Sequence, residues 1–139
     1  MRRYLVVANR TLGGEHLLDA LRQRTAQGEC AVHVVVPASH PSSAWSDEQV
    51  AVAARAKLEE ALARFRELGV EVTGEVGDAS PVRAVGDVLL GDQAFDEIIL
   101  STLPPGPSRW LKQDVIHRLE RSVDVPVTHV VAAAEPATA

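Results

Sequence analysis

The chain has 139 residues and a mass of 14.9 kDa, the size of one domain built around one core. Hydrophobic residues at 46% and charged residues at 24% exclude a disordered, collagen-like or coiled-coil chain. A formal net charge of -5 without a dense basic run argues against nucleic acid as a partner.

Apolar runs that suit buried strands alternate with segments of helical period, the signature of parallel βαβ units. The first strand is read at Tyr4 to Ala8, and a helix follows from about Gly14 to Arg24 with Leu17, Leu18 and Leu21 on one stripe. Ala31 to Val36 is the second strand, nearly continuous in β-branched residues, so both of its faces need cover. Ala38 to Ala44 reads as a surface loop. The longest helix opens at Ser46, where Ser46 and Gln49 have capping-box spacing. It carries Val50, Ala54, Leu58, Ala61, Leu62, Phe65 and Leu68, and Gly69 follows as a left-handed cap. A weaker third strand falls at Val70 to Thr73. Ser80-Pro81 starts a short helix through Val85, Val88 and Leu89, ending by Gly91. The fourth strand is Glu97 to Leu100. Ser108 is placed as the cap of one last helix with Leu111, Val115 and Leu119 on a stripe, and Val127 to Val131 is the fifth strand. The domain is expected over residues 1–133, with 134–139 as a flexible tail.

Cys30 is the single cysteine, which excludes an internal disulfide and fits a reducing, cytoplasmic setting. The apolar run after Met1-Arg2-Arg3 is cut at Asn9-Arg10, too short for a signal peptide, and no run nears the roughly 20 apolar residues of a membrane span. The five histidines have no metal-ligand spacing. Neither a G-x-S-x-G elbow nor a base placed by motif beside Cys30 is present, so no enzymatic activity and no cofactor are expected.

The polar end of the first strand at Asn9, the run His33-Val34-Val35-Val36-Pro37, the long helix, Val70-Glu71-Val72 followed by Gly77-Asp78, and the run from Asp96 together form a pattern. Gly106-Pro107-Ser108-Arg109-Trp110-Leu111, then Val115 and Val125-Pro126-Val127, complete it without a gap. Over nearly its whole length the chain resembles the universal stress protein family. The resemblance implies an α/β fold, a three-layer α/β/α sandwich with a five-stranded parallel sheet in the order 3-2-1-4-5, of the adenine-nucleotide α-hydrolase-like architecture. It also implies a homodimer through the edge strand at residues 127–131, whose apolar run invites pairing.

ATP-binding members of that family carry an Asp at the end of strand one and G-x-x-G-x(9)-G-[S/T] after strand four. Glycines let backbone amides approach phosphate, and a helix N-terminus adds positive potential. Here Asn9 replaces the Asp. Counted from strand four, the first two glycines become Ser101 and Pro104; counted back from the last helix, they become Leu100 and Leu103. Pro104 has no amide hydrogen to donate. Gln113 and Asp114 stand in place of the last glycine and its hydroxyl neighbour, and an ionised Asp114 would repel phosphate by about 1 to 4 kcal/mol per charge pair at 4 Å. The expected function is a non-catalytic binding or regulatory protein of the universal stress protein type that does not bind ATP in the family manner. The alternative is an ATP- or AMP-binding stress protein with modified phosphate contacts.

Ligands of such sheets bind beyond the carboxyl ends of the strands, where strand order reverses. The candidate crevice is therefore Asn9, Thr11, Gly13, Gly14, Ser101, Thr102, Gly106, Ser108 and Arg109. Gly13-Gly14 reads either as a tight turn into the helix or as a backbone nest for a small anionic ligand. Arg10 and Arg109 are the cations placed to line it. The proline-rich stretch from Ser101 to Trp110 reads as a stiff connection with Trp110 packed beneath it, as a rigid lip over the crevice, or as a docking surface for a partner.

Overall fold

The computed structural model describes residues 1–38, 43–104, 109–112 and 114–132. The elements in chain order are β1 (Arg2–Val7), α1 (Glu15–Thr25), β2 (Cys30–Pro37), α2 (Asp47–Arg66), β3 (Glu71–Gly77), α3 (Pro81–Leu89), β4 (Glu97–Thr102), α4 (Arg109–Lys112), α5 (Val115–Ser122) and β5 (Val127–Val131). All four strand pairings are parallel, and the sheet order is β3-β2-β1-β4-β5.

The period-two alternation of the strands sorts their side chains onto two cores. On one face Val6, Val34 and Ile99 pack against Leu17 and Leu21 of α1 and Leu58, Leu62 and Phe65 of α2. On the other, Leu5, Val7, Val35, Ile98 and Leu100 meet Ala84 and Val85 of α3 and Val115 and Leu119 of α5. The sheet is thus covered on both sides, which accounts for the near-continuous apolar runs of β2 and β4. Trp110 packs against the second core.

Local signals act where the sequence places them. The Ser46 side chain accepts from the Gln49 amide and the Gln49 side chain accepts from the Ser46 amide, a complete capping box. Gly69 has φ +81, the left-handed conformation that lets the chain leave α2. The fourth strand runs two residues past Leu100 to Thr102, and two elements differ more from expectation. The third strand continues past Thr73 to Gly77, because a Cβ at Gly74 would lie 2.6 Å from Leu58 Cδ1 and glycine there lets α2 lie close over the sheet. The last helix is two pieces, α4 and α5, separated by a turn at Asp114 with φ 55. Ser108, expected to cap it, and Gly106 fall outside the described residues, as do residues 133–139.

Candidate functional site

The chain reverses direction across the sheet between β1 and β4, so the segment after β1 and the end of β4 meet at one place. Ser101, on the last turn of β4 toward this end, is 1% exposed. Its Oγ lies 2.6 Å from Thr11 Oγ1 and 2.7 Å from His16 Nε2. Three side chains from the turn after β1, the first turn of α1 and the end of β4 thereby form one hydrogen-bonded chain. Burial holds His16 below the ordinary imidazole value, an effect opposed by Asp19. The ring is therefore neutral near pH 7 and can accept from or donate to the Ser101 hydroxyl.

Gly13 and Gly14 serve this arrangement through size. Gly14 has φ -77 and ψ 148, which any residue adopts, and Gly13 is likewise not in the left-handed region. A Cβ on Gly14 would stand 2.5 Å from His16 Nδ1 and Cε1, so glycine makes room for the ring. The amides of Leu12 and Gly14 bond to the carbonyls of Asn9 and Thr11 inside the turn. Neither glycine is in the left-handed region, so Gly13-Gly14 does not form the alternating right- and left-handed kind of nest. The carbonyl of Gly13 accepts from the Arg64 guanidinium, which also reaches Glu15 at 3.4 Å. Arg64 of α2, which no sequence signal singled out, is a cation bonded to this turn. Arg10 is exposed, and Arg109 opens α4.

Asn9 does something that an aspartate cannot do. Its Nδ2 donates to the carbonyl of Pro37 at 2.6 Å, tying the end of β1 to the end of β2, and its Oδ1 accepts from Lys57 Nζ at 3.4 Å. A carboxylate would set an acceptor against that carbonyl. Thr102, the other buried hydroxyl of β4, turns away from Ser101. Its Oγ1 donates to the Leu103 carbonyl at 2.9 Å and lies 2.7 Å from His129 Nε2 of β5. Since the hydroxyl hydrogen is committed, His129 donates there from Nε2. Burial also lowers the His129 value. The sheet brings Asn9, Thr11, Gly13, Gly14 and Ser101 into one neighbourhood and sets Thr102 on the opposite face.

The phosphate positions have a different chemistry. Pro104 lacks an amide hydrogen. Asp114 precedes α5 and its Oδ1 lies 2.7 Å from His117 Nδ1, so a carboxylate stands at the helix end that would otherwise attract an anion. Burial raises the Cys30 thiol value, leaving an inert side chain. Among the described residues no group of three His, Cys, Asp or Glu side chains could hold a metal ion, and no helix is long and apolar enough to cross a membrane.

No family model matches the chain. No curated protein matches it either. Solved structures do. A universal stress protein from Archaeoglobus fulgidus is 17% identical, with 94% of this chain and 93% of that chain covered and a TM-score of 0.59. The chain has the universal stress protein fold. The universal stress protein from the same organism in complex with dAMP is 14% identical, covering 94% of this chain and 97% of that one, with a TM-score of 0.53. A universal stress protein in complex with cAMP is 15% identical, covering 95% and 98%, with a TM-score of 0.53. Sequence pattern and tertiary structure thus agree on the universal stress protein architecture, while the strand-four residues of this chain keep their own chemistry.

Proposed function

We propose that this chain is a non-catalytic binding or regulatory protein of the universal stress protein type, cytoplasmic, which does not hold ATP in the manner of that fold's nucleotide-binding members. One observation carries the reading: the Ser101 hydroxyl, at the mouth of the sheet, is buried and committed to Thr11 and His16. A ligand phosphate competing for that place would have to break two short hydrogen bonds and leave buried polar groups unpaired, a cost of about 1 to 3 kcal/mol for each orphaned group. Pro104 and Asp114 add to this, one by a missing donor and the other by charge. A small anionic ligand instead meets the N-terminus of α1, where Gly14 provides no side-chain cap and Glu15 opposes it. The role then rests on protein surfaces, first among them the β5 edge, through which a homodimer forms. Three of the five residues of its strand are valine, and Val131 is exposed.

The second reading, an adenine-nucleotide binder with modified phosphate contacts, is favoured by the dAMP and cAMP bound to two similar structures. Both ligands carry one phosphate and need less of a cradle than ATP does. A thermal-shift and calorimetric panel of ATP with Mg2+, AMP, dAMP and cAMP separates the readings. No shift at micromolar ligand is expected; stoichiometric ATP binding would refute the proposal, and binding of the monophosphates alone would select the second reading. Sedimentation at tens of micromolar is expected to give a dimer, and a monomer would remove the β5 interface.

A further inference from the structure

The opposite edge of the sheet has a composition that solubility alone does not explain. β3 pairs with β2 on one side and is the terminal strand of the sheet on the other. Alternate amides and carbonyls of such a strand point away from the sheet. Along the α2 side of this edge runs a groove of about 590 Å3, lined by Ala51, Val52, Ala56 and Val76, with Glu75 of β3 at its rim. Val52 is 65% exposed. Arg55 and Glu59 at the same groove bond to one another at 2.9 Å, so they add no net charge to it. On the other face of β3, Glu71, Thr73 and Glu75 alternate and are exposed. His33 of β2 fixes two of them, with Nδ1 2.7 Å from Thr73 Oγ1 and Nε2 3.1 Å from Glu75 Oε2. The edge therefore presents a largely apolar trough on one side and two exposed carboxylates, Glu71 and Glu75, along the strand beside it, Glu75 being held by His33 and reaching the trough's rim.

We propose that this edge binds an extended peptide segment of a protein partner, one that alternates apolar with basic residues and adds to the sheet as a sixth strand beside β3. Successive side chains of an added strand fall on opposite faces. One set would fill the trough over Val52, Ala56 and Val76, and the other would lie opposite Glu71 and Glu75. Charge selects the occupant. A second copy of β3 paired antiparallel about Thr73 would bring Glu71 opposite Glu75 twice, a destabilising like-charge pairing. A basic strand removes that repulsion and gains it as attraction. Edge carboxylates by themselves serve to discourage unwanted pairing, but that purpose does not call for a large apolar side chain as exposed as Val52 alongside.

The test uses fluorescent peptides as long as the seven residues of β3, one alternating valine with lysine and one alternating valine with glutamate. Anisotropy is expected to favour the basic peptide by about tenfold or more, with amide NMR shifts confined to β3 and the middle of α2. The exposed substitution Val52→Asp should abolish the binding and leave the circular dichroism spectrum unchanged. The double variant Glu71→Lys, Glu75→Lys should invert the preference. Equal binding of both peptides, shifts centred on β5, or no binding at millimolar peptide would each overturn the proposal. So would a dimer in sedimentation that Val52→Asp dissolves, since the trough would then belong to a second copy of the chain.

Discussion

Replacing Gly14 by alanine probes the hydrogen-bonded chain at the mouth of the sheet. The new Cβ would stand 2.5 Å from His16 Nδ1 and Cε1, so the ring must retreat by about 1 Å to reach ordinary contact. The 2.7 Å bond from His16 Nε2 to Ser101 does not survive that retreat, while Ser101 keeps Thr11 as a partner. One lost hydrogen bond without an orphaned group costs about 1 kcal/mol. The single substitution does not isolate that amount. Alanine at φ -77, ψ 148 restricts the unfolded chain and stabilises by about 0.4 to 1 kcal/mol, and as an N-cap it is poorer than glycine by a similar amount. A double-mutant cycle with His16→Ala cancels both effects, because neither depends on the imidazole. Urea unfolding at about pH 8, with the ring neutral, should give a coupling of about 1 kcal/mol, Gly14→Ala being more costly in the presence of His16 than in its absence. Additivity within about 0.3 kcal/mol would show that the ring and Gly14 are not coupled, and the assignment of Gly14 as the space for His16 would fall.

Three further outcomes follow from the packing and the charges. Arg24 reaches Glu97 with Nη2 at 2.7 Å and Nε at 3.0 Å, Thr128 donates to the same carboxylate, and the two charged side chains are only 14% and 20% exposed. The hydrogen bond from Arg24 leads the causes that hold Glu97 below the ordinary carboxylate value of 4.5. Stability from this pair is present above that value and is lost as pH falls below it through the lowered folded value, so the acid side of the urea midpoint should flatten in Glu97→Gln; parallel curves for the two proteins would refute the linkage. His129 and His16 are both lowered by burial, so the unfolded chain binds the extra protons and stability should decline as pH falls below about 6.5. His129→Gln should remove part of that decline, and an unchanged slope would show that burial does not hold the ring neutral. Phe65 is 1% exposed between α2 and the sheet; Phe65→Ala should cost about 3 to 5 kcal/mol in chemical denaturation, and a loss near 1 kcal/mol would mean that the core collapses onto the site.

The alternation of strands and helices, the two-sided burial of β2 and β4 and the ends of α2 follow from residues close together in the chain. The period of Val50, Ala54, Leu58 and Leu62 makes one face of a helix, Ser46 and Gln49 satisfy its first amides, and Gly69 releases its last turn. Such signals survive in the sequence because capping and periodicity are local. The extension of β3 through Gly74 was hidden, because glycine is a poor strand former and its value there lies in the approach of Leu58 and Leu62. The division of the last helix at Asp114 was equally hidden, since the stripe of Leu111, Val115 and Leu119 spans it.

At the candidate site the sequence singled out Asn9 to Gly14 and Ser101 to Ser108, and the structure sets the first beside Ser101, because strand order in a parallel sheet fixes which loops become neighbours. It could not pair their side chains. Ser101 and Thr11 are 90 positions apart, Ser101 and His16 are 85 apart, and Gly13 and Arg64 are 51 apart. Whether glycine spares a turn, admits an anion or leaves room for an imidazole depends on what the folded chain places against its missing Cβ. Only the tertiary structure decided that question, because distances between remote residues are set by the register of the sheet and the seating of the helices upon it.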